Sequence, residues 1–337
     1  MTLSRDLTAP DVSIVIVNYR SWDKLGRCLS SLLELEVVQI NLEVIVVDNY
    51  SNDGQFQNIS QQYPQVNFIE NTGNHGFSSG CNLGAKDAKG EYLLFLNPDT
   101  EVRMDIFTPL LANIKNFPPN SILATHKKDS YGKYERVERF LPRWYIYTGL
   151  GRAVHRLVCN RKIKQDFAKD KKIVYPDWVS GSVMFIRLND FRALAGWNEN
   201  FWLYGEDVDL CQRAQNNGGT IALLQDVSII HNHGGSSRIN PATAALTKSE
   251  VFISRHIFIA EHFKGINQLL MQAFVLTKSI IKTALIALLS LLIFKHLKAQ
   301  ASRVLFGNII RYYINAAIKG TWISPRSVNY DATTNKF

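Results

Sequence analysis

Apolar residues in the first hundred positions come in short unbroken runs: 12-VSIVIVN-18, 42-LEVIVVD-48, 66-VNFIE-70 and 92-YLLFL-96. Continuous β-branched and aromatic runs of this length read as strands covered on both faces of a parallel sheet. Between the first two the period changes. Trp22, Leu25, Cys28, Leu29, Leu32 and Leu33 recur at helical spacing, with Ser21 at the N-cap position. Residues 49–54 (NYSNDG) are turn chemistry, 71–84 are rich in Gly and Asn, and 104–116 read as a helix. Further along, 182–186 (SVMFI), 221–224 and 227–230 are strand-like, and a helix is expected to start near Glu206. Strands alternating with helices predict an α/β domain with a mostly parallel central sheet.

The end of the fourth run carries the first chemical signal. The strand stops on Asn97-Pro98-Asp99-Thr100. Proline cannot donate to a ladder and ends the strand there. In open α/β sheets ligands bind beyond the carboxyl ends of the strands, the rim where Asp48 also emerges. The alternative is that Asp99 is only a turn former. A second signal is 196-GWNENFWLYGEDVDLCQRAQNNGG-219, with acids at 199, 206, 207 and 209. Acids in the first turn of a helix complement its dipole, which is the plainer reading of Glu206 and Asp207. The last strand runs into 231-HNHGGSS-237, where the histidines are either ligands or ordinary loop residues.

Charge redraws the map in two places. From position 241 onward there are 12 Lys/Arg against Glu250, Glu261 and Asp331, which equals the whole net charge of +9. Residues 126–175 hold 14 Lys/Arg against five acids. Such segments suit anionic partners, or are simply solvated faces. No nucleic-acid motif accompanies them. Cys28, Cys81, Cys159 and Cys211 lie far apart without a CxxC pair, which suits a reducing compartment. The polar start MTLSRDLTAPD has no apolar h-region, so a cytosolic face is expected. There is no P-loop, and Gly73, Gly76, Gly80 and Gly84 have the wrong spacing for a dinucleotide fingerprint.

Seven segments occur in order: VSIVIVNY, VIVVDNYSNDG, NTGNHGFSSGCNLG, LLFLNPDT, SGSVMFIR, GWNENFWLYGEDVDLCQR and IIHNHGGSS. Over about residues 11–238 they resemble the family 2 glycosyltransferases, in the branch that includes bacterial rhamnosyltransferases. The resemblance implies a GT-A fold, a nucleotide-sugar donor, Mg2+ or Mn2+, and inversion at the anomeric carbon. It puts Val17, Asn18, Asp48, Asn74, Gly76, Asn82 and Asn97 beside the donor. It puts the metal on Asp99 and on His231, with His233 as the alternative. Asp207 becomes the general base, and Trp178, Gly181, Asn198, Glu199 and Glu206 face the acceptor. Asn97 stands where the family more often has a first Asp, and Asn198-Glu199 where Asp-Glu is common.

The expected organisation is a catalytic domain over 1–240, with a basic insertion at 126–175, and a helical tail over 241–337. The insertion mixes its cations with Trp144, Tyr145, Tyr147, Leu150, Val154 and Leu157. In the tail, TALIALLSLLIF (283–294) is too short to span a bilayer. Extended back to 266 it takes in Lys278 and Lys282 at i, i+4, as in an interfacial helix. Residues 304–318 form a second candidate. The tail is therefore expected to dock on the inner face of the cell membrane; packing on the catalytic core or a homodimer interface are the alternatives. The implied activity is transfer of a sugar to a lipid-linked saccharide. By the resemblance the donor is dTDP-L-rhamnose, with UDP-hexoses or UDP-galactofuranose as near alternatives. A catalytically silent nucleotide-sugar-binding or scaffold relative is the rival.

Overall fold

The computed structural model describes residues 9–37, 39–137, 139–143, 149–232, 240–293 and 297–330. Trp144, Tyr145, Tyr147 and His233 lie outside them. The chain runs β1 (Val12–Asn18), α1 (Trp22–Leu33), β2 (Leu42–Asp48), α2 (Phe56–Gln62), β3 (Asn67–Glu70), α3 (Gly76–Asp87), β4 (Tyr92–Leu96), β5 (Thr100–Glu101), α4 (Phe107–Ile114), β6 (Ile122–Lys128), α5 (Gly149–Asp166), β7 (Ile173–Val174), β8 (Val183–Arg187), α6 (Leu188–Ala193), α7 (Glu206–Asn216) and β9 (Ile221–His231). Helices α8 (Pro241–His262), α9 (Gly265–Leu289) and α10 (Leu297–Lys319) follow.

The strands form one sheet in the order β3-β2-β1-β4-β8-β6-β9-β5, with β7 on β9. Its long ladders, β1 with β2 and β4, β2 with β3, and β6 with β9, are parallel. Strand β8 enters antiparallel between β4 and β6. Successive strand residues face opposite layers. Ile14, Ile16, Val44, Val46, Leu94 and Leu96 meet α1 and α4 through Leu25, Leu29, Phe107 and Leu110. Val15, Val17, Ile45, Leu93 and Phe95 join Cys81, Ala85, Phe191, Leu210 and Cys211 on the other side. That double burial is why the runs are continuous rather than alternating. The glycines of the Asn/Gly segment serve this packing. A Cβ on Gly80 or Gly84 would lie 2.8 Å from Val17 or 2.6 Å from Val15, so α3 sits closer to β1 than any side chain would allow.

Several boundaries shift from expectation. The two strand-like pieces after 220 are one strand, β9, whose ladder with β6 slips register between Thr125 and His126. The helix expected over 104–116 is shorter, because Asp105 Oδ1 accepts from the Phe107 and Thr108 N–H groups and starts it there. Ser21 does occupy the N-cap, but its hydroxyl makes no capping bond. Residues 126–128 and 173–174 of the basic segment are sheet strands.

The tail packs on the α/β core. Helices α8 and α10 bury Phe252, Ile253, Ile257, Phe258, Leu305, Ile309, Tyr312 and Tyr313 together with Phe201 and Leu141. His262 Nε2 lies 2.8 Å from Asp209, Asn200 2.7 Å from Glu261, and the Ser327 hydroxyl donates to the Glu199 carbonyl (2.6 Å). Helix α9 is different. Residues 265–292 are long and apolar enough to cross a bilayer, with an 18-residue window of mean hydropathy 1.8, only 28% of which is buried.

His256 ties the three helices together. It is fully buried, bonded at Nδ1 to Gln272 Oε1 of α9 and at Nε2 to Tyr313 of α10 (2.9 Å), and stacked on Trp322. A neutral ring donating from Nδ1 and accepting at Nε2 satisfies both neighbours. Burial pushes its pKa down to about 4. Between that value and the unfolded value of about 6.5, the unfolded chain binds the extra proton, so stability falls as the pH drops through this window. Thermal unfolding from pH 7 to 4 is expected to show a loss of about 3 kcal/mol from this group. His256→Gln should be less stable at pH 7 but show a shallower pH slope.

Candidate active site

The carboxyl ends of β1 and β2 are locked by polar contacts. Asp48 is fully buried. Its carboxylate accepts from Asn18 Nδ2 (2.9 Å), the Ser51 N–H (2.8 Å) and the Ser51 hydroxyl (2.5 Å). Asn49 donates to the Gly76 carbonyl (2.7 Å) and accepts from Asn71 (3.0 Å), which fastens α3 to the rim. Asn18 Oδ1 is buried and accepts no hydrogen bond among the described residues. The Val17 side chain turns into the core against Gly80.

Gly76 has φ +91°, and a Cβ there would lie 2.2 Å from the Trp202 carbonyl. Only glycine permits both this angle and this approach. The approach lets Phe77 N–H donate to Trp202 O (2.9 Å), while Trp202 Nε1 donates to Asn74 O (3.0 Å). The Asn74 side chain accepts from the Gly76 N–H. Asn82 is committed to the acidic loop: its amide donates to Trp197 O and Glu199 Oε1, and its oxygen accepts from Trp197 N–H. These contacts clip the two loops together.

Asp99 and His231 are 132 positions apart and meet because β5 runs antiparallel to the end of β9, with Thr100 opposite His231. Asn97 sets this up, its carbonyl accepting from the Thr100 N–H and hydroxyl while its N–H bonds Ser182 O. His231 Nε2 lies 3.3 Å from Asp99 Oδ1, a buried oxygen with no other polar partner among the described residues. His231 Nδ1 lies 2.9 Å from Glu135 Oε1. A carboxylate oxygen and an imidazole nitrogen, with the ring's other nitrogen held by a second carboxylate, suit a divalent cation that keeps water and phosphate oxygens as its remaining ligands. No group of three or more His, Cys, Asp and Glu side chains placed to hold a metal occurs among the described residues.

A chain of contacts leads from there to Asp207. Glu135 Oε2 lies 3.0 Å from Lys127 Nζ and 3.2 Å from Arg139. Lys127 donates to Ser182 Oγ (2.8 Å), and the neighbouring Gly181 N–H donates to Asp207 Oδ2 (3.3 Å). Arg139 lies 4.6 Å over the Trp178 ring. Lys127, Glu135 and Arg139 carry no individual signal in the sequence beyond the basic character of their segment. Asp207 lines a cavity of about 440 Å³ with Trp178, Tyr204 and Gly205. Tyr204 (φ 71°) and Gly205 (φ 88°) are both left-handed, turning the chain sharply into α7.

Burial raises the Asp207 carboxyl above the ordinary aspartate range, while the Val208 and Gly181 N–H groups and the Arg139 and Lys127 cations pull it back. Glu206 is buried near Cys81 and has no partner at Oε2. Burial and the neighbouring Asp207 charge push it well above its usual range. Of the adjacent pair, Glu206 is the more strongly disfavoured as a charge, and Asp207 is the one that N–H groups and cations support. Glu206, Asn198 and Glu199, all expected at the acceptor, do not line this cavity. Asn198 Oδ1 caps the Asn200 N–H (3.0 Å), and Glu199 holds Asn82.

A sequence profile described as glycosyl transferase family 2 matches residues 13–177, and one described as the N-terminal domain of galactosyltransferase matches 165–233. The chain is 26% identical over 241 residues to a low-salt glycan biosynthesis hexosyltransferase, Agl10, of Haloferax volcanii, covering 66% of this chain and 67% of that one. It is 26% identical over 266 residues to an N-acetylglucosaminyl-diphospho-decaprenol L-rhamnosyltransferase of Mycobacterium tuberculosis, covering 75% and 85%. The crystal structure of GalNAc-T7 with UDP, GalNAc and Mn2+ superposes with a TM-score of 0.53 at 16% identity, over 77% of this chain and about half (52%) of that one. The mixed α/β architecture is thus a GT-A fold. The chain matches the family 2 glycosyltransferase model over residues 13–177 and resembles that family's rhamnosyltransferases.

The charge division at the paired acids is directly testable. Glu206→Gln copies the protonated acid and is expected to keep transferase activity within a few-fold. Asp207→Asn should lose about 10²–10⁴-fold. Steady-state rates of the two purified variants, compared with circular dichroism, check this; equal losses would refute the division.

Proposed function

We propose that this protein transfers a sugar, with inversion, from a nucleoside-diphosphate sugar to a hydroxyl of a lipid-linked saccharide during surface-polysaccharide assembly. The observation that carries the reading is the connection of Asp207, a desolvated carboxylate lining a cavity, to the Asp99–His231 pair through Gly181, Ser182, Lys127 and Glu135. A base and an electrophilic centre held in one rigid frame are what a single displacement needs. Asp207 takes the proton of the attacking hydroxyl as that oxygen bonds the anomeric carbon and the nucleoside diphosphate departs. One displacement with one base inverts the centre.

Asp99 and His231 are the residues that would hold Mg2+ or Mn2+, and Glu135 fixes the imidazole. When bound, the cation neutralises the diphosphate leaving group. Asn18 Oδ1, a buried acceptor without a partner, suits an N–H of the nucleobase. Asp48 acts by holding Asn18 and Ser51 in place rather than by reaching the ligand. The relative that acts on a diphospho-decaprenol sugar supports L-rhamnose as the donor sugar and a lipid acceptor.

Two experiments test the reading. Turnover across a panel of dTDP- and UDP-sugars, with lipid extract as acceptor, is expected for one donor, to need Mn2+ or Mg2+, and to fall at least about 10²-fold in Asp99→Ala. Nucleotide binding without turnover of any donor would make the protein a silent relative. The second addresses location. Leu269, Leu285 and Leu288 of α9 are each more than half exposed, and a row of apolar side chains flanked by Lys278 and Lys282 suits the cytoplasmic face of an anionic bilayer. Replacing all three with Glu should abolish flotation with anionic vesicles and leave donor binding intact. Unchanged flotation would remove the membrane from the proposal.

A further inference from the structure

The cavity around Asp207 has two builders. The catalytic domain gives Phe140, Pro142, Trp178, Tyr204 and Asp207, and the tail gives Val251, Ser254, Arg255 and Phe258 from α8 and Lys278 from α9. Asp207 is the one acid among these lining residues, and Arg255 and Lys278 are its two cations. Lys278 is also shared with a second depression of about 510 Å³ along the outer face of α9, lined by Phe274, Ile281, Lys282, Leu285 and Ile286. Lys278 is thus common to the cavity that holds the proposed base and to the apolar trough. Both cations lie beside aromatic rings, Arg255 5.4 Å from the centre of Phe252 and Lys278 5.7 Å from that of Phe274.

The order of these surfaces matches the order of groups in an amphiphile: a sugar hydroxyl, an anionic linkage, a long hydrocarbon. The base takes the first, paired cations suit a diphosphate, and the exposed apolar face takes the third. We propose that Arg255 and Lys278 form the anion-binding edge of the acceptor site, holding the diphosphate of a prenyl-diphosphate-linked saccharide whose chain leaves along the outer face of α9. The inference rests on the glycosyltransfer reading above and adds to it that the tail builds part of the substrate site. Helix α9 then both meets the lipid and presents it to Asp207.

Farnesyl diphosphate carries the two groups that matter, and EDTA removes any metal-dependent binding at the donor side. Calorimetric titration of the full chain should show binding that weakens about 10- to 100-fold for each cation lost in Arg255→Gln and Lys278→Gln, the worth of one charge-assisted hydrogen bond. Arg255→Lys should retain most of it. Binding of UDP and dTDP with Mn2+, measured on the same samples, should be unchanged, which also reports that the variants are folded. The proposal is overturned if farnesyl diphosphate does not bind the wild-type chain, or binds the double variant as tightly. It is also overturned if inorganic pyrophosphate binds as well as the prenyl compound. Nucleotide binding without prenyl-diphosphate binding would remove this site and leave the glycosyltransfer reading standing. Prenyl-diphosphate binding that depends on both cations, with no nucleotide binding, would support the site and remove that reading.

Discussion

The ladder of Thr100 and Glu101 on the end of β9 is two residues long, and the geometry of the site depends on it. Strand β4 ends at Leu96, at the middle of the sheet, while β9 lies three places away in the strand order. The proline at 98 forces the chain off β4, and the Asn97 carbonyl catches Thr100 and points the chain across the rim. Only that crossing brings the Asp99 carboxylate to the His231 ring. The ring's far side is then fixed by Glu135, and Glu135 in turn gathers Lys127 and Arg139 beside Ser182 and Asp207. Breaking the short ladder would scatter both halves of the site while leaving most of the core intact.

A second dependence is steric. Helix α3 carries glycine at 76, 80 and 84. Two of them let the helix lie against Val15 and Val17, and the third lets its first turn accept the loop that leads to Asp207. Substitution here would act at a distance, because the helix is a shim between the rim and the acidic loop.

The fold was largely legible in the sequence, because strands covered on both faces need continuous apolar runs and the connecting helices have one buried stripe. The placement of Asp99 just past a strand end and of Asp207 in the first turn of a helix was legible as well, each marked by a local break in pattern, a proline after a buried strand and an acid pair before a helix. Other residues were hidden for physical reasons. Lys127 and Glu135 sit in a segment dense with charge, where only the pairing of β6 decides which side chains turn inward. Asn82 is of a type equally suited to a ligand or to a loop, and its three hydrogen bonds to Trp197 and Glu199 had no trace in the sequence. Helix α8 shows no clean stripe because it is covered on several sides and buries Thr247, Ser249, Glu250 and Ser254 beside its apolar residues. The tail's packing on the core, one of the readings open from the sequence, is what the structure has.

The divided cavity also sets an order of assembly. Domains form largely as the chain emerges, N-terminal parts first. Every strand of the sheet is present once His231 has been made, so the Asp99–His231 pair can close early. The second wall of the Asp207 cavity waits for Val251, Arg255, Phe258 and finally Lys278. A growing chain thus acquires its grip on one end of the reaction well before the other. It matures only when the helix with the greasy outer face has left the ribosome.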